Sequence, residues 1–542
     1  MERTGVLIHL PHFIWQIIPI FLYAETHYRF KYFFSFLHKK EPEIIADAPH
    51  RIEPDSPLPI LILVKDSHLF PTRINRINLI VRSNGLIALE KELINSPIEI
   101  NQKLWWRLFS ISVEGLNGTI ECDVIFELND KSIYYNDNHR TSTHQPLKVY
   151  ISSNSLPRFQ NLHFGECHSH SNYTDDQVEF GSPLGASVHL CKSMGISFFC
   201  VTDHSYDLDD TIDNYLINDP NLPKWRQLQQ EVDELNSTLN DFKIVRGEEV
   251  TCRNSSDQNV HLLLLGNRKF VLGKGDGAEK WFKTQSEYSI DEVLHKKELS
   301  ALAYAAHPQE PVSLLQRLLL RRGQWSEQNI QNLKLNGIQF ANGQLSDGFK
   351  EGYRQWIKAL LQGNRLFMLA GNDAHGNFNR FRQIGIPFIK IRELDHQIFG
   401  KMRTGVFIDS LSEENLLKSI RSGMSIITDG PVANMRVFSL PERVSSIGRS
   451  YSGSIHSIQL EALSSIEYGS IESLKVFKGT IGQKETELII ERSVKGYSID
   501  SEFSFKPDCN NYVRAEMWTS SKDSSDNKPH FCLTNPIWFS PT

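Results

Sequence analysis

Six short stretches of this 542-residue chain carry side chains of the kind that hold metal ions. They are Glu166-Cys167-His168-Ser169-His170 with Asp175 shortly after, Thr202-Asp203-His204, Gly247-Glu248-Glu249-Val250-Thr251, His261, Ala306-His307-Pro308, and Gly371-Asn372-Asp373-Ala374-His375-Gly376. Imidazole and carboxylate suit Zn, Mn or Fe, and an ion with open coordination positions generates a hydroxide nucleophile near neutral pH. Each stretch is weak alone. Alternation along a strand puts both rings of a His-x-His on one face whether or not they bind anything, and a lone His261 is more often a hydrogen-bonded rim residue. The weight comes from their recurrence at or just after the ends of successive apolar, strand-like runs.

Those runs must position the ligands. After Pro157, strand patterns at Phe198–Val201, Ile244–Val245, His261–Leu265, Ala301–Ala306, Gly337–Phe340 and Leu366–Ala370 alternate with amphipathic helical patterns. One such helix carries Trp225, Leu228, Val232, Leu235 and Leu239; another carries Phe349, Tyr353, Trp356 and Leu360 and stops at Gly363. Ser289 and Glu292 make a capping box. The alternation predicts an α/β fold with parallel strands closed into a barrel, whose C-terminal strand ends bring distant residues onto one face. On either side the texture is short β runs and turns, which predicts a β-sandwich before the barrel and another after it. The expected division is an apolar N-terminal segment at 1–45, a sandwich at 46–156, the barrel at 157–431 and a sandwich at 432–542.

Composition narrows the function. A net charge of −6 and the absence of a Lys/Arg-dense tract argue against a duplex nucleic-acid binder. Seven scattered cysteines without a C-x-x-C pair argue against a disulfide framework or a thiolate zinc site, and for a reducing, cytoplasmic location. The apolar run Val6–Tyr23 is broken by His9, Pro11, His12, Gln16 and Pro19, so it reads as a buried or interfacial segment, with membrane contact as the alternative. No Gly-x-Ser-x-Gly elbow or phosphate-binding P-loop is present. Arg380 and Arg382, just after the last motif, are candidates to clamp a phosphate or carboxylate. Asn342 is a candidate for the pocket wall, and Asp203 for orienting His204.

Taken in order over about Asn161 to Gly376, the stretches resemble the signature motifs of the PHP (polymerase and histidinol phosphatase) family. The residues that match the family's ligand positions are His168, His170, Asp175, His204, Glu249, His261, His307, Asp373 and His375. The resemblance implies a distorted seven-stranded (β/α)7 barrel holding two to three divalent ions. One would take His168, His170, Glu249 and Asp373. A second would take Glu249, His261 and His307, and a third Asp175, His204 and His375. Glu249, His307 and Asp373 are the implied catalytic residues. The frame G-x-E-x-T selects Glu249, with Glu248 as the alternative, and Glu166 stands where the family usually has Asp. The segments Ser422-Gly423 through Asp429-Gly430-Pro431 and Leu533-Thr534-Asn535-Pro536-Ile537 resemble the family branch that includes carbaryl-type ester hydrolases (CehA/McbA-like). The expected function is a hydrolase of a small-molecule ester, with a metal-bridging hydroxide as nucleophile and a phosphoester as the favoured substrate. A carboxyl-ester or carbamate hydrolase, a nuclease and a non-catalytic scaffold module are the alternatives.

Overall fold

The computed structural model describes residues 41–138, 144–174, 181–275, 284–380, 383–386, 389–392, 396–438, 445–453, 456–492 and 496–541. Residues 1–40 of the apolar N-terminal segment, Asp175 and Arg382 lie outside them. Among the described residues, no helix is long and apolar enough to cross a membrane. All seven cysteines are unbridged, and six are buried.

The first 110 or so described residues form two facing sheets. The strands Glu43–Asp47, Leu58–Lys65 and Leu104–Ile111 make one; Thr72–Ser83, Leu86–Ile94, Gly118–Leu128 and Leu147–Ile151 are the main strands of the other. Gly118–Leu128 alternates buried and partly exposed residues along almost its whole length, the pattern of a strand with one wet face. Its inward Ile120, Cys122, Val124 and Phe126 share a core with Ile60, Ile62 and Val64 of the opposite sheet.

The expected α/β class with a (β/α)7 barrel is corrected by the central sheet. Nine strands matter here: β1 (Leu162–His170), β2 (Phe198–Val201), β3 (Lys243–Arg253), β4 (Asn259–Leu265), β5 (Leu302–Ala306), β6 (Gly337–Asn342), β7 (Phe367–Gly371), β8 (Arg403–Phe407) and β9 (Ser425–Thr428). They pair in the order β7-β6-β5-β4-β3-β2-β1-β8-β9, and the ladder then runs on into Phe531–Thr534, Asn511–Thr519, Ile471–Thr480 and Glu485–Arg492. The result is one long mixed sheet in a predominantly β molecule. Two features break the regular repeat. A tight turn joins β3 to β4, with Asn254 N bonded to Gln258 O at 2.8 Å, which leaves no room for a crossover helix and makes β4 antiparallel to both β3 and β5. β8 likewise runs antiparallel to β1. Just past β7, the short strand Ala374–His375 pairs in parallel with the end of β1, and side chains bridge the rest of that edge. Glu166 on β1 accepts from the backbone N–H of Asn372 at 2.9 Å and of Gly400 at 3.0 Å, and Thr404 Oγ1 on β8 accepts from Ala370 N at 2.9 Å.

The C-terminal region also departs from a freestanding sandwich. Val432–Val437, His456–Leu463 and Ser498–Phe505 form a separate three-stranded sheet, but the layer facing it is the far end of the central sheet. The seam with the central region is buried and polar. Arg514 pairs with Glu485 at 2.6 Å and donates to Tyr353 Oη, on the helix Asp347–Leu361, at 2.6 Å. Asn535 Oδ1 accepts from Met368 N on β7 at 2.8 Å. The N-terminal sandwich is tied in by the two-pronged Arg51–Glu467 pair, at 2.9 and 3.0 Å.

Local chemistry explains the helices. Ser346 accepts from Phe349 N to start Asp347–Leu361, which buries Phe349, Trp356 and Leu360; Gly363, at φ +88°, ends it where a side chain would be strained. Ser289 and Glu292 form a reciprocal capping box at Ile290–Lys296.

The junction after β9 generates a prediction. His530 Nδ1 lies 3.0 Å from Asp429 Oδ2 and Nε2 lies 3.1 Å from Asp526 Oδ1. Burial lowers its basicity, but the two carboxylates outweigh burial and raise it from 6.5 to about 9. The protonated form is thus stabilised by folding, an advantage complete below the unfolded value and lost as pH rises through about 9. His530→Gln should destabilise the protein at pH 6 by up to about 3 kcal/mol, and the gap should close by pH 10. Denaturant melts of both proteins across that range check it, and a pH-independent gap would refute the linkage.

Candidate metal centre

The C-terminal ends of β1, β2, β3, β5 and β7 converge, and because β4 runs the other way its beginning joins them, placing His261 opposite Thr251. This brings His168, His170, His204, Glu249, His261, His307, Asp373 and His375 into one cluster. Glu249 is its centre: nitrogens of five histidines lie within 3.5 Å of its two oxygens. His261 Nδ1 is 2.7 Å from Oε1, His307 Nε2 3.2 Å and His168 Nε2 3.3 Å; His204 Nδ1 is 3.0 Å from Oε2 and His170 Nε2 3.5 Å. Asp373 Oδ1 faces His170 Nε2 at 3.1 Å and His168 Nε2 at 3.3 Å. The ring of His375 stacks on that of His170 with centroids 4.5 Å apart.

Three overlapping groups could each hold an ion, with their donor atoms within 4.8 Å of one another: His168, His170, Glu249 and Asp373; His204, Glu249 and His261; and His170, His204 and His375. The first coincides with the expected first set. In the second, His204 takes the place expected of His307, which nonetheless lies within reach of Glu249. The third contains His204 and His375, while Asp175 is outside the described residues. The donor set fits divalent ions for a further reason. His168 Nε2, His204 Nδ1 and Glu249 Oε2 are buried, and although cluster atoms lie 3.0 to 3.5 Å from each, none of these contacts has hydrogen-bonding alignment, which is costly unless something else satisfies the three atoms.

The electrostatics are those of a desolvated cluster. Burial would raise the Glu249 carboxyl, but the surrounding imidazoles of His261, His168 and His204 hold it well below the usual carboxylate range. Asp373 behaves in the same way, with burial opposed chiefly by His168 and His170. Burial lowers His170 and His204, whereas for His168 it is outweighed by Glu249 and Asp373, which raise it to about 9. Two residues at strand ends hold strained backbone, His307 at φ +27° and Asp373 at φ +50°, at a cost of roughly 1 to 3 kcal/mol each.

Glu248 points the other way. It accepts from Asn267 Nδ2 at 3.1 Å, Ser205 Oγ at 3.1 Å and Val271 N at 3.3 Å, and burial pushes it up to about 8 against those bonds. Asp203 binds the turn after β1 rather than the His204 ring, accepting from Ser171 N at 2.7 Å and Thr174 Oγ1 at 2.8 Å. Arg380 is not in the cluster. It is buried at 2% exposure against the N-terminal sandwich, where Nη1 donates to Gln145 O at 3.0 Å. Asn342 stands one step back, accepting from Gln339 Nε2 at 3.2 Å.

Sequence reasoning missed the residues that orient the ligands. Gln339 Oε1 lies 3.3 Å from His168 Nδ1 and accepts from His307 N at 2.9 Å, which turns His168 Nε2 toward the carboxylates. Gln397 Nε2 donates to Asp373 Oδ2 at 2.7 Å, leaving Oδ1 to the imidazoles. The Tyr206 ring stacks on His204 at 4.5 Å, and Arg322 Nη2 lies 3.5 Å from His261 Nδ1. Gln339 falls inside a predicted strand and could have been suspected as a polar residue in an apolar run; Gln397, Tyr206 and Arg322 carry no comparable signal.

No family model matches this chain, and no curated protein matches it. Among solved structures, a β-glucuronidase of Bacteroides uniformis is matched at 8% identity over 92% of this chain and 61% of that one, with a TM-score of 0.18. A variant of β-glucuronidase 2 from the same organism gives 9% identity, the same coverages and a TM-score of 0.20. The chain thus spans about three fifths of their length, and likeness at this level assigns neither a fold nor an activity.

The geometry separates the two adjacent glutamates. Glu249→Gln should lose at least one bound ion per chain by elemental analysis. Glu248→Gln should keep its metal content while losing about 1 to 3 kcal/mol of stability, because an amide nitrogen then faces hydrogen-bond donors. Retention of full metal content by Glu249→Gln would refute the central role of that carboxylate.

Proposed function

We propose that the protein is a metal-dependent hydrolase of ester bonds, with phosphoric esters as the favoured substrates. The observation that carries the reading is Glu249, one carboxylate shared by two of the three ligand groups and ringed by imidazoles. The resemblance to PHP metallohydrolases supports it through the order of the ligand residues, independently of the corrected barrel. Bound Zn, Mn or Fe would supply Lewis acidity, activating water and neutralising charge on the substrate. The chain's own residues account for the rest. Glu249 and Asp373 stay ionised in a buried setting and therefore face cations at full charge. Gln339 and Gln397 set the directions in which His168 and Asp373 present their donor atoms. Tyr206 packs its ring against that of His204.

Native protein should carry about two to three divalent ions per chain. Treatment with chelator should abolish hydrolysis of a phosphomonoester such as p-nitrophenyl phosphate, and Mn, Zn or Fe should restore it. A panel that also includes phosphodiesters and neutral carboxyl esters ranks the substrates. Carboxyl-ester turnover far above phosphatase turnover would overturn the phosphoester preference. Native protein with less than one ion, and no activity after loading, would favour the scaffold alternative.

A further inference from the structure

We propose that Gln339 couples two cation sites of the cluster, because its one amide oxygen holds His168, a ligand of the first group, and also fastens His307 in place as a ligand of the second. The inference rests on the metal-dependent reading for the presence of cations. It goes beyond that reading by giving a role to His307, which stands outside the three ligand groups, and by making the sites interdependent.

Strand geometry aims the side chain. Gln339 lies on β6, level with Ala306 at the end of β5, which puts it beside His307. Against β7 the register slips by one residue here, so that Gln339 faces Leu369 while Ala341, two positions on, faces Ala370. Such a bulge re-aims the side chains around it. The extra residue, Phe340, is held in the core by Phe349 and Trp356, with ring centroids 5.2 and 6.2 Å away. The amide is then locked. Nε2 donates to Ala341 O at 3.0 Å and to Asn342 Oδ1 at 3.2 Å, which leaves Oε1 to face the cluster from a fully buried position.

That oxygen has two partners. One is the backbone N–H of His307, which donates to it at 2.9 Å and so holds a residue whose φ of +27° lies in the left-handed region that side chains avoid. The other is His168 Nδ1, at 3.3 Å. With an acceptor there, Nδ1 carries the hydrogen and Nε2 keeps its electron pair for a cation. The two rings lie nearly parallel, at 13° with centroids 5.5 Å apart, and their Nε2 atoms stand 3.3 and 3.2 Å from the same oxygen of Glu249, Oε1. One amide oxygen thus sets two imidazoles against one carboxylate oxygen.

The coupling follows from that sharing. A cation on His168 Nε2 makes the opposite N–H a stronger donor and so pins the Gln339 side chain. His307, restrained in strained backbone by the same side chain, then has less freedom left to lose when a second cation binds. Without this link, two cations sharing Glu249 would only repel each other.

The test uses full-length protein stripped of metal, together with Gln339→Met, which keeps the length but has no acceptor, and Gln339→Glu, which keeps the acceptor oxygen. Mn(II) is titrated by calorimetry, and amide hydrogen exchange of the peptide carrying His307 is followed at each loading. In Gln339→Met the second ion should bind on the order of ten- to a hundredfold more weakly, while the first, which keeps three other ligands, should lose less. In the wild type the first equivalent of Mn(II) should slow exchange at His307. In Gln339→Met exchange there should be faster without metal and should not respond to the first equivalent, and Gln339→Glu should recover part of both effects. Exchange in the helix Asp347–Leu361 should stay unchanged, which separates positioning from general loosening. If both variants loosen that helix as well, the wild-type response to the first equivalent still decides. Equal weakening of both ions, or wild-type exchange at His307 that ignores the first equivalent, overturns the coupling. A chain that takes up no ion overturns it together with the hydrolase reading, whereas coupled uptake without turnover of any phosphate or carboxyl ester overturns the hydrolase reading alone.

Discussion

The structure turns on a buried negative charge. Glu249 has no exposed atom, and its five imidazole neighbours arrive on four different strands or the loops directly after them. A carboxylate in such a place is tolerated only when surrounded by donors or cations. Its requirement therefore fixes the register of β3 against β4 and the level at which β1, β2 and β5 must end. The strained backbone of His307 and Asp373 is the local cost of bringing side chains to that level from strands that have already finished. Gln339 and Gln397 then hold rings and carboxylates in position, so the cluster is ordered by the protein before any cation arrives.

The candidate ligands were legible in the sequence because their signal is local. His168 and His170 are two residues apart, and Glu249 is marked by its frame and by Glu248 being directed to the opposite face. Element types were legible for the same reason: a period near 3.6 marked the helix bearing Phe349, Trp356 and Leu360, and Ser289 with Glu292 marked the start of Ile290–Lys296. Strand direction and sheet continuity were not legible. A run such as His261–Leu265 reads the same whichever way it points, and only the missing helical pattern between Thr251 and His261 hinted at a hairpin. Nor could the texture after Pro431 reveal that Phe531–Thr534 would pair with β9 and prolong the same sheet, since pairing across a hundred residues leaves no mark in either segment.

Arg380, near the last motif, shows where sequence proximity misleads. Arg380 follows Asp373 closely, yet the chain turns so that it is buried against the N-terminal sandwich. Arg322, sixty-one residues from His261, arrives beside that ring because Asn259 captures its segment at the backbone. Glu166 offers a similar lesson. Its carboxylate, on β1, reaches the backbone of Asn372 and Gly400, which lie 206 and 234 positions away in the sequence.

The continuity of the central sheet bears on how the protein is made. The last of the candidate ligands has been synthesised by His375, but β7 is anchored at Met368 by Asn535, and β9 acquires its outer partner only with Phe531–Thr534. On the ribosome, these supports of the layer must wait for segments made roughly 160 residues after the cluster's own residues. During that interval β9 presents an unpaired edge and Glu249 sits in a layer still lacking its final support. A nascent chain of this design gains more from a chaperone that covers β9 until Phe531–Thr534 is made than one whose metal-binding unit could fold alone.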